Sequence, residues 1–239
     1  MNRGYLNIES GMLLNPEGMG SITIDCTIFG FENGELEVLL VKHAQGISQG
    51  KWGLPGGWIQ EKEGIDAAAH RLLREVAGLE NIYLEQLKAF GEPDRFPLGR
   101  VITVAYYALV KREEYPARAG FTASEAKWFN IKDAPELIYD HTEILEYSLE
   151  NLRKKVRQAP IGFSLLPEKF TLLQLMQLYE RILGIEMDKP NFRRKFLRMK
   201  LLVDVNEKQK DVSHRAAKLY KFDEEIYKKL TKRGFNFEF

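Results

Sequence analysis

Residues 56–79, GGWIQEKEGIDAAAHRLLREVAGL, constrain the chain more than any other stretch. A glycine-rich loop feeds a helix in which Arg71 and Glu75 stand four residues apart and Gly78 marks the end. That spacing brings the two side chains together on one helix surface. Positions 72, 75 and 76 share a face, and two of them, Leu72 and Val76, are apolar. The flanking segments are strand-like. SITIDCTIFGF (21–31) and LEVLLVKH (36–43) are rich in aliphatic and β-branched residues, and Asn33-Gly34 between them is a hairpin signal. IYLEQLKAFGE (82–92), RVITVAYYALV (100–110) and AKWFNI (126–131) follow as further strands. TEILEYSLENLRKKVRQ (142–158) carries Ile144, Leu145, Tyr147, Leu149 and Leu152 at amphipathic helical spacing. The pattern predicts an α+β protein whose first domain is a mixed-sheet α/β/α sandwich.

A chain of 239 residues with 44% apolar and 11% aromatic content has material for a substantial core. No apolar run is long enough for a membrane span, and the N-terminal stretch has no apolar signal region. Cys26 is the single cysteine, so neither an internal disulfide nor a cysteine-built zinc site is available. His43, His70, His141 and His214 show no metal-ligand spacing. The expectation is a cytoplasmic protein without metal or cofactor. The net charge of +1 conceals an asymmetry: residues 1–161 hold 18 Lys+Arg against 23 Asp+Glu, and residues 162–239 hold 17 against 11. A basic block on an acidic body points either to an anionic partner or to a solvated basic surface.

APIGFSLLPEKF (159–170) reads as a linker, dividing the chain into domains 1–160 and 161–239. Beyond it, Thr171 and Gln174 match a capping box, and Leu172, Leu175, Met176, Tyr179, Ile182 and Leu183 recur at helical spacing up to Gly184. Pro190 opens a second helix, and LLVDV (201–205) with KLYKF (218–222) reads as a hairpin. Helix, turn, helix and hairpin is the order of a winged helix-turn-helix. In PNFRRKFLRMK (190–200), Phe192, Phe196 and Met199 form an apolar stripe. With Phe192 at 0°, Asn191, Arg194 and Arg198 fall at about 260°, 200° and 240°, opposite that stripe. Asparagine and arginine read adenine and guanine edges, the flanking Arg193 and Lys195 suit phosphates, and Lys200 is a further expected DNA-binding residue. The hairpin tip, 206–218, adds Arg215 and Lys218. Double-stranded DNA is the expected partner.

The 57–79 stretch resembles the Nudix box, G-x5-E-x7-R-E-U-x-E-E-x-G-U with U aliphatic. Gly57, Glu63, Arg71, Leu73, Glu75, Gly78 and Leu79 match it, while Leu72 and Val76 replace two glutamates. The family's enzymes hold Mg²⁺ with carboxylates of this helix, so the resemblance implies the fold with catalytic metal binding lost, and the chain is expected not to be an enzyme. Lys42 and the GEPDRFPLGR loop (91–100), with Asp94, Arg95 and Arg100, border the ligand cleft in that fold. Gly57, Arg71 and Glu75 complete the expected effector site. Residues 170–195, FTLLQLMQLYERILGIEMDKPNFRRK, resemble Nudix-related bacterial transcription regulators, which sense ADP-ribose or a pentose such as arabinose and act as homodimers. The lost glutamates and the 78–95 run look more like the pentose-sensing branch. An ADP-ribose sensor and a hydrolase with an accessory domain are the alternatives.

Overall fold

The computed structural model describes residues 6–7, 12–13, 21–80, 82–120, 122–210 and 215–239. Most of the N-terminal stretch read for a signal lies outside them, as do His214 and the middle of the hairpin tip, 211–214. Two compact units emerge: Met1–Gly30 with Glu37–Leu149, and Phe31–Leu36 with Glu150–Phe239. The division therefore lies before the boundary expected at residue 160. The helix spanning it runs unbroken from His141 to Gln158, so the prolines and glycine of the expected linker come too late to mark the divide.

In the first unit, β1 (Leu6–Asn7) and β2 (Met12–Leu13) form a small antiparallel pair. The main sheet has the order β5 (Trp52–Gly53), β4 (Glu35–His43), β3 (Ile22–Glu32), β8 (Ile102–Leu109), β7 (Glu85–Phe90); β6 (Gly56–Trp58) pairs with β3 and β9 (Ala123–Asn130) with β4. β3 and β8 run parallel, in register from Ile22↔Ile102 to Phe29↔Leu109, so the sheet is mixed. The turn between β3 and β4 puts Asn33 and Gly34 at φ 52° and 81°, as a type I′ hairpin turn requires.

Alternation along β3 builds the layers. Ile24, Cys26 and Ile28 point to one face, where α1 (Ile65–Ala77) buries Ala68, Ala69, Leu72, Leu73, Val76 and Ala77 against them. Each large aliphatic side chain buried there stabilises the unit by roughly 1.5–3 kcal/mol. Asp25 and Thr27 point the other way. Thr27 shares a hydrogen bond of 2.9 Å with Ser148 on α2 (His141–Gln158), which covers the second face. The result is the expected α/β/α sandwich. No described helix is long and apolar enough to cross a membrane.

The second unit follows the expected order. α3 (Leu172–Leu183) starts at a complete Thr171/Gln174 capping box and ends at Gly184 in the left-handed conformation. α4 (Lys189–Met199) is capped by Asp188, and β10 (Leu202–Lys208) pairs with β11 (Lys218–Phe222). Two elements depart from expectation. Pro160–Leu165 is a 3₁₀ helix whose Phe163 is buried and stacks on Phe222 at 4.3 Å, so this stretch is core rather than linker. α5 (Glu224–Thr231), which buries none of its residues, follows the hairpin.

One close approach fixes the loop after β8 against α1. The Gly120 N–H donates to the Val76 carbonyl at 3.0 Å, and a Cβ there would lie 1.7 Å from the Glu75 carbonyl oxygen. Gly120→Ala is expected to destabilise the unit by about 1–3 kcal/mol, as overpacking against rigid backbone does, measured by urea unfolding. An unchanged midpoint contradicts that packing.

Candidate functional site

The Arg71 guanidinium organises the entrance of α1. Its Nε and Nη2 donate to both Glu63 oxygens at 2.9 and 2.5 Å, Nη1 to Glu75 at 2.8 Å, and Nη2 also to the Trp58 carbonyl at 2.9 Å. The i,i+4 pair with Glu75 is as the helix spacing implies. The bidentate partner, Glu63, stands eight residues upstream and enters because the loop folds back over the helix. Hydrogen bonding from Arg71 holds the Glu63 carboxyl below the usual glutamate range, against the opposing effect of burial. Gly57 sits on β6 opposite Ile24, and Leu72 presses on it: Cδ2 lies 2.7 Å from the place of a Gly57 Cβ. Leu72 and Val76 are each 5% exposed, inside the core cluster. Two of the three positions on that face are thus packed hydrocarbon, and Glu75 is the carboxylate that stays exposed. Among the described residues no group of three or more His, Cys, Asp or Glu is placed to share a metal ion.

A second arginine organises the other sheet face. Arg95, expected to border the ligand cleft from the 91–100 loop, has a side chain only 4% exposed. Nε and Nη2 donate to the Asp140 oxygens at 2.7 and 2.6 Å, and Nη2 reaches Asp25 at 3.3 Å. Burial pulls its pKa down, but the two aspartates more than offset this and hold it above the ordinary value. His141 accepts the Leu54 N–H at Nδ1 and turns Nε2 toward Asp25 at 3.4 Å. Burial, then His141, lowers the pKa of His43, against Asp25, and its buried Nε2 has no hydrogen-bond partner among the described residues. Aromatic rings adjoin this cluster: Phe96 stands edge-on to Trp58 at 6.2 Å and to Tyr139 at 5.1 Å, and the Tyr139 hydroxyl meets Ser48 at 2.5 Å. Sequence reading named Glu63 only as a match to the box, and it missed Asp25, Asp140 and the aromatic trio. Asp25 did carry a signal, since a carboxylate in the middle of an apolar strand needs a partner.

The remaining expected effector residues are more exposed. Lys42 lies 3.7 Å from Glu125 and over the Trp52 ring at 5.5 Å. Asp94 is exposed, and Arg100 donates to the Gly91 carbonyl.

On α4 the apolar stripe faces inward: Phe192 and Phe196 are buried and Met199 is half-buried. Asn191, Arg193, Arg194 and Arg198 are exposed, and Arg194 donates to the Asn191 side chain, aligning the two groups suited to base edges. Lys200 is exposed at the helix C-cap with φ 56°. Lys195 is half-buried, its ammonium 4.7 Å from the Phe239 ring centroid, so it is turned inward from the expected phosphate-facing position. On the hairpin, Arg215 is exposed, and Lys218 pairs with Asp204 at 2.7 Å. That hydrogen bond raises the Lys218 pKa, and the charge of Arg193 opposes the rise.

The Glu63 pairing sets a pH dependence. Because its folded pKa is depressed, the stability it contributes is complete above the ordinary glutamate value of about 4.3 and is lost as pH falls through the lowered value. Thermal unfolding across that window is expected to show a loss of stability that is smaller in Arg71→Gln. An equal loss in both proteins contradicts the pairing.

This geometry has close counterparts. Residues 22–152 match the NUDIX domain model, and residues 162–222 match the NrtR DNA-binding winged helix domain model. The ADPR responsive transcriptional repressor NtrR of Acinetobacter baylyi is 32% identical over 205 residues, covering 84% of this chain and 81% of that protein. The crystal structure of Shewanella oneidensis NrtR complexed with a 27mer DNA superposes with a TM-score of 0.74 at 30% identity, covering 90% of this chain and 97% of that one. The NUDIX domain of the same protein complexed with ADP ribose superposes at 0.53 and 31% identity, covering 55% of this chain and 88% of that one. Matched in both units and along most of its length, the chain belongs to the Nudix-related family of ligand-responsive, DNA-binding transcriptional regulators with an NrtR-type winged helix.

Proposed function

We propose that this chain is an ADP-ribose-responsive transcriptional repressor, in which the Nudix unit binds effector without hydrolysing it and a homodimer presents two α4 helices to an operator. The observation that carries the effector assignment is the 32% identity, across both units, to a repressor that responds to ADP-ribose. The pentose reading drawn from the lost glutamates has weaker support, since the relatives point to the nucleotide sugar. One feature favours a pentose. Arg71 faces two glutamates and Arg95 two aspartates, so each cluster has two acids for one guanidinium. A diphosphate entering there must displace carboxylates or bring a cation; a neutral sugar need not. Lys42, Gly57, Arg71, Glu75, Asp94 and Arg100 are the proposed effector contacts, with buried Arg95 bracing the loop from within.

Metal-assisted diphosphate cleavage depends on a held metal, and Leu72 and Val76 supply no oxygen ligand. Calorimetry with ADP-ribose, arabinose and xylose, with and without Mg²⁺, is expected to give binding to ADP-ribose, which is recovered intact afterwards. Binding to a pentose alone overturns the effector assignment, and turnover abolished by Glu75→Gln overturns the non-hydrolytic one.

For the second unit, Asn191, Arg194 and Arg198 are the base-reading set, and Arg193, Lys200, Arg215 and Lys218 contact phosphates; Lys195 belongs with this set only if it swings outward. Arg194→Ala and Arg198→Ala are each expected to cost about 1–3 kcal/mol on operator DNA and little on random DNA. Arg193→Ala is expected to weaken both alike and to lower the log–log salt slope by about 0.9. Filter binding at several salt concentrations separates the two classes; identical losses on both DNAs for every variant contradict base reading by α4.

A further inference from the structure

The winged-helix match ends at residue 222, yet the chain continues into the core beneath α4. After α5, Gly234 at φ 87° reverses the chain, with the Phe235 N–H returning to the Leu230 carbonyl at 3.0 Å. The segment that follows reads Phe-Asn-Phe-Glu-Phe. Phe237 is buried and Phe235 and Phe239 are half-buried, while Asn236 and Glu238 are exposed. This period of two is that of an extended strap with one apolar side. The Phe239 N–H anchors the strap to the Arg157 carbonyl at 2.9 Å. Its ring lies 4.5 Å from Tyr179 of α3, 5.3 Å from Phe196 and 5.7 Å from Phe192 of α4. Lys195 covers the same ring from the α4 side. The strap thus meets the two aromatic residues that hold α4 down, and α3 through the same ring.

We propose that Phe239 is a positioning residue for DNA reading: wedged between α3 and α4, it sets the orientation in which α4 presents Asn191, Arg194 and Arg198. This rests on α4 being the reading helix. The contacts explain why position and not only stability is at stake. α4 has only two buried side chains, Phe192 and Phe196, and Phe239 touches both. Base-edge hydrogen bonds need their donors held closely in place. A tilt of α4 therefore damages base reading, while phosphate attraction tolerates it.

The test compares Phe239→Ala with the conservative Phe239→Leu and with Phe222→Ala, which removes a core ring stacked on Phe163. The probes are the tightest duplex that wild-type protein selects from a random library and a scrambled duplex of equal length. Hydrogen exchange is followed in the free full-length proteins. Phe239→Ala is expected to lose about tenfold in affinity for the selected duplex and less than about twofold for the scrambled one, the scale of one lost base contact. Its α4 amides exchange faster while those of β10 and β11 do not, and Phe239→Leu recovers most of both effects. Equal losses on both duplexes, an equal pattern in Phe222→Ala, or α4 exchange like wild type overturns the proposal. If Arg198→Ala leaves selected-duplex affinity intact, the assignment of α4 as reading helix fails, and the exchange data still report whether the strap holds it.

Discussion

A helix face cannot both fill a core and hold a hydrated metal, and α1 is committed to the core. Leu72 and Val76 sit at the positions where the Nudix box has carboxylates, and both are buried against the sheet. Leu72 also presses on Gly57, closing the space beside the helix entrance. Restoring a glutamate at position 72 would bury a charge without a partner, which is costly enough that the group would neutralise instead. Arg71 ties Glu63, Glu75 and the Trp58 carbonyl into one hydrogen-bonded knot that holds the entrance loop on the helix. The rest of the first unit depends on that packing.

Much of the fold was legible because its signals are local. The Asn33-Gly34 turn, the Thr171/Gln174 capping box and Gly184 each act within a few residues, and each forms as read. Arg95 shows what is not local. Its loop carries two prolines, two glycines and several charges, yet its partners stand 45 and 70 residues away in sequence. Nothing near Arg95 announces that it turns inward. Pro160–Leu165 misled for a related reason: proline and glycine mark a change of direction, and they do not say whether Phe163 is buried at the bend. α5 went unread because eight residues with three apolar side chains give periodicity little to work on.

The second unit gathers its aromatic rings around the base of α4. Tyr179, Phe192, Phe196, Phe237 and Phe239 form a connected set of edge-on and tilted contacts. Burial pushes the Tyr179 hydroxyl well above its usual range, and that hydroxyl has no hydrogen-bond partner among the described residues. An unsatisfied hydroxyl costs the core about 1–3 kcal/mol, so the aromatic contacts must outweigh it. They do so beneath the exposed basic face of α4.

A ligand-responsive regulator requires the two binding events to be coupled, and coupling is reciprocal. If effector changes the affinity for operator by some factor, operator changes the affinity for effector by the same factor, typically about 5–150-fold. Measuring ADP-ribose affinity of the full chain with and without saturating operator duplex, and operator affinity with and without saturating ADP-ribose, closes that cycle. Equal factors clearly different from one are the predicted result. Tight binding of both partners with neither altering the other would contradict the assignment of the Nudix unit as the sensor of this regulator.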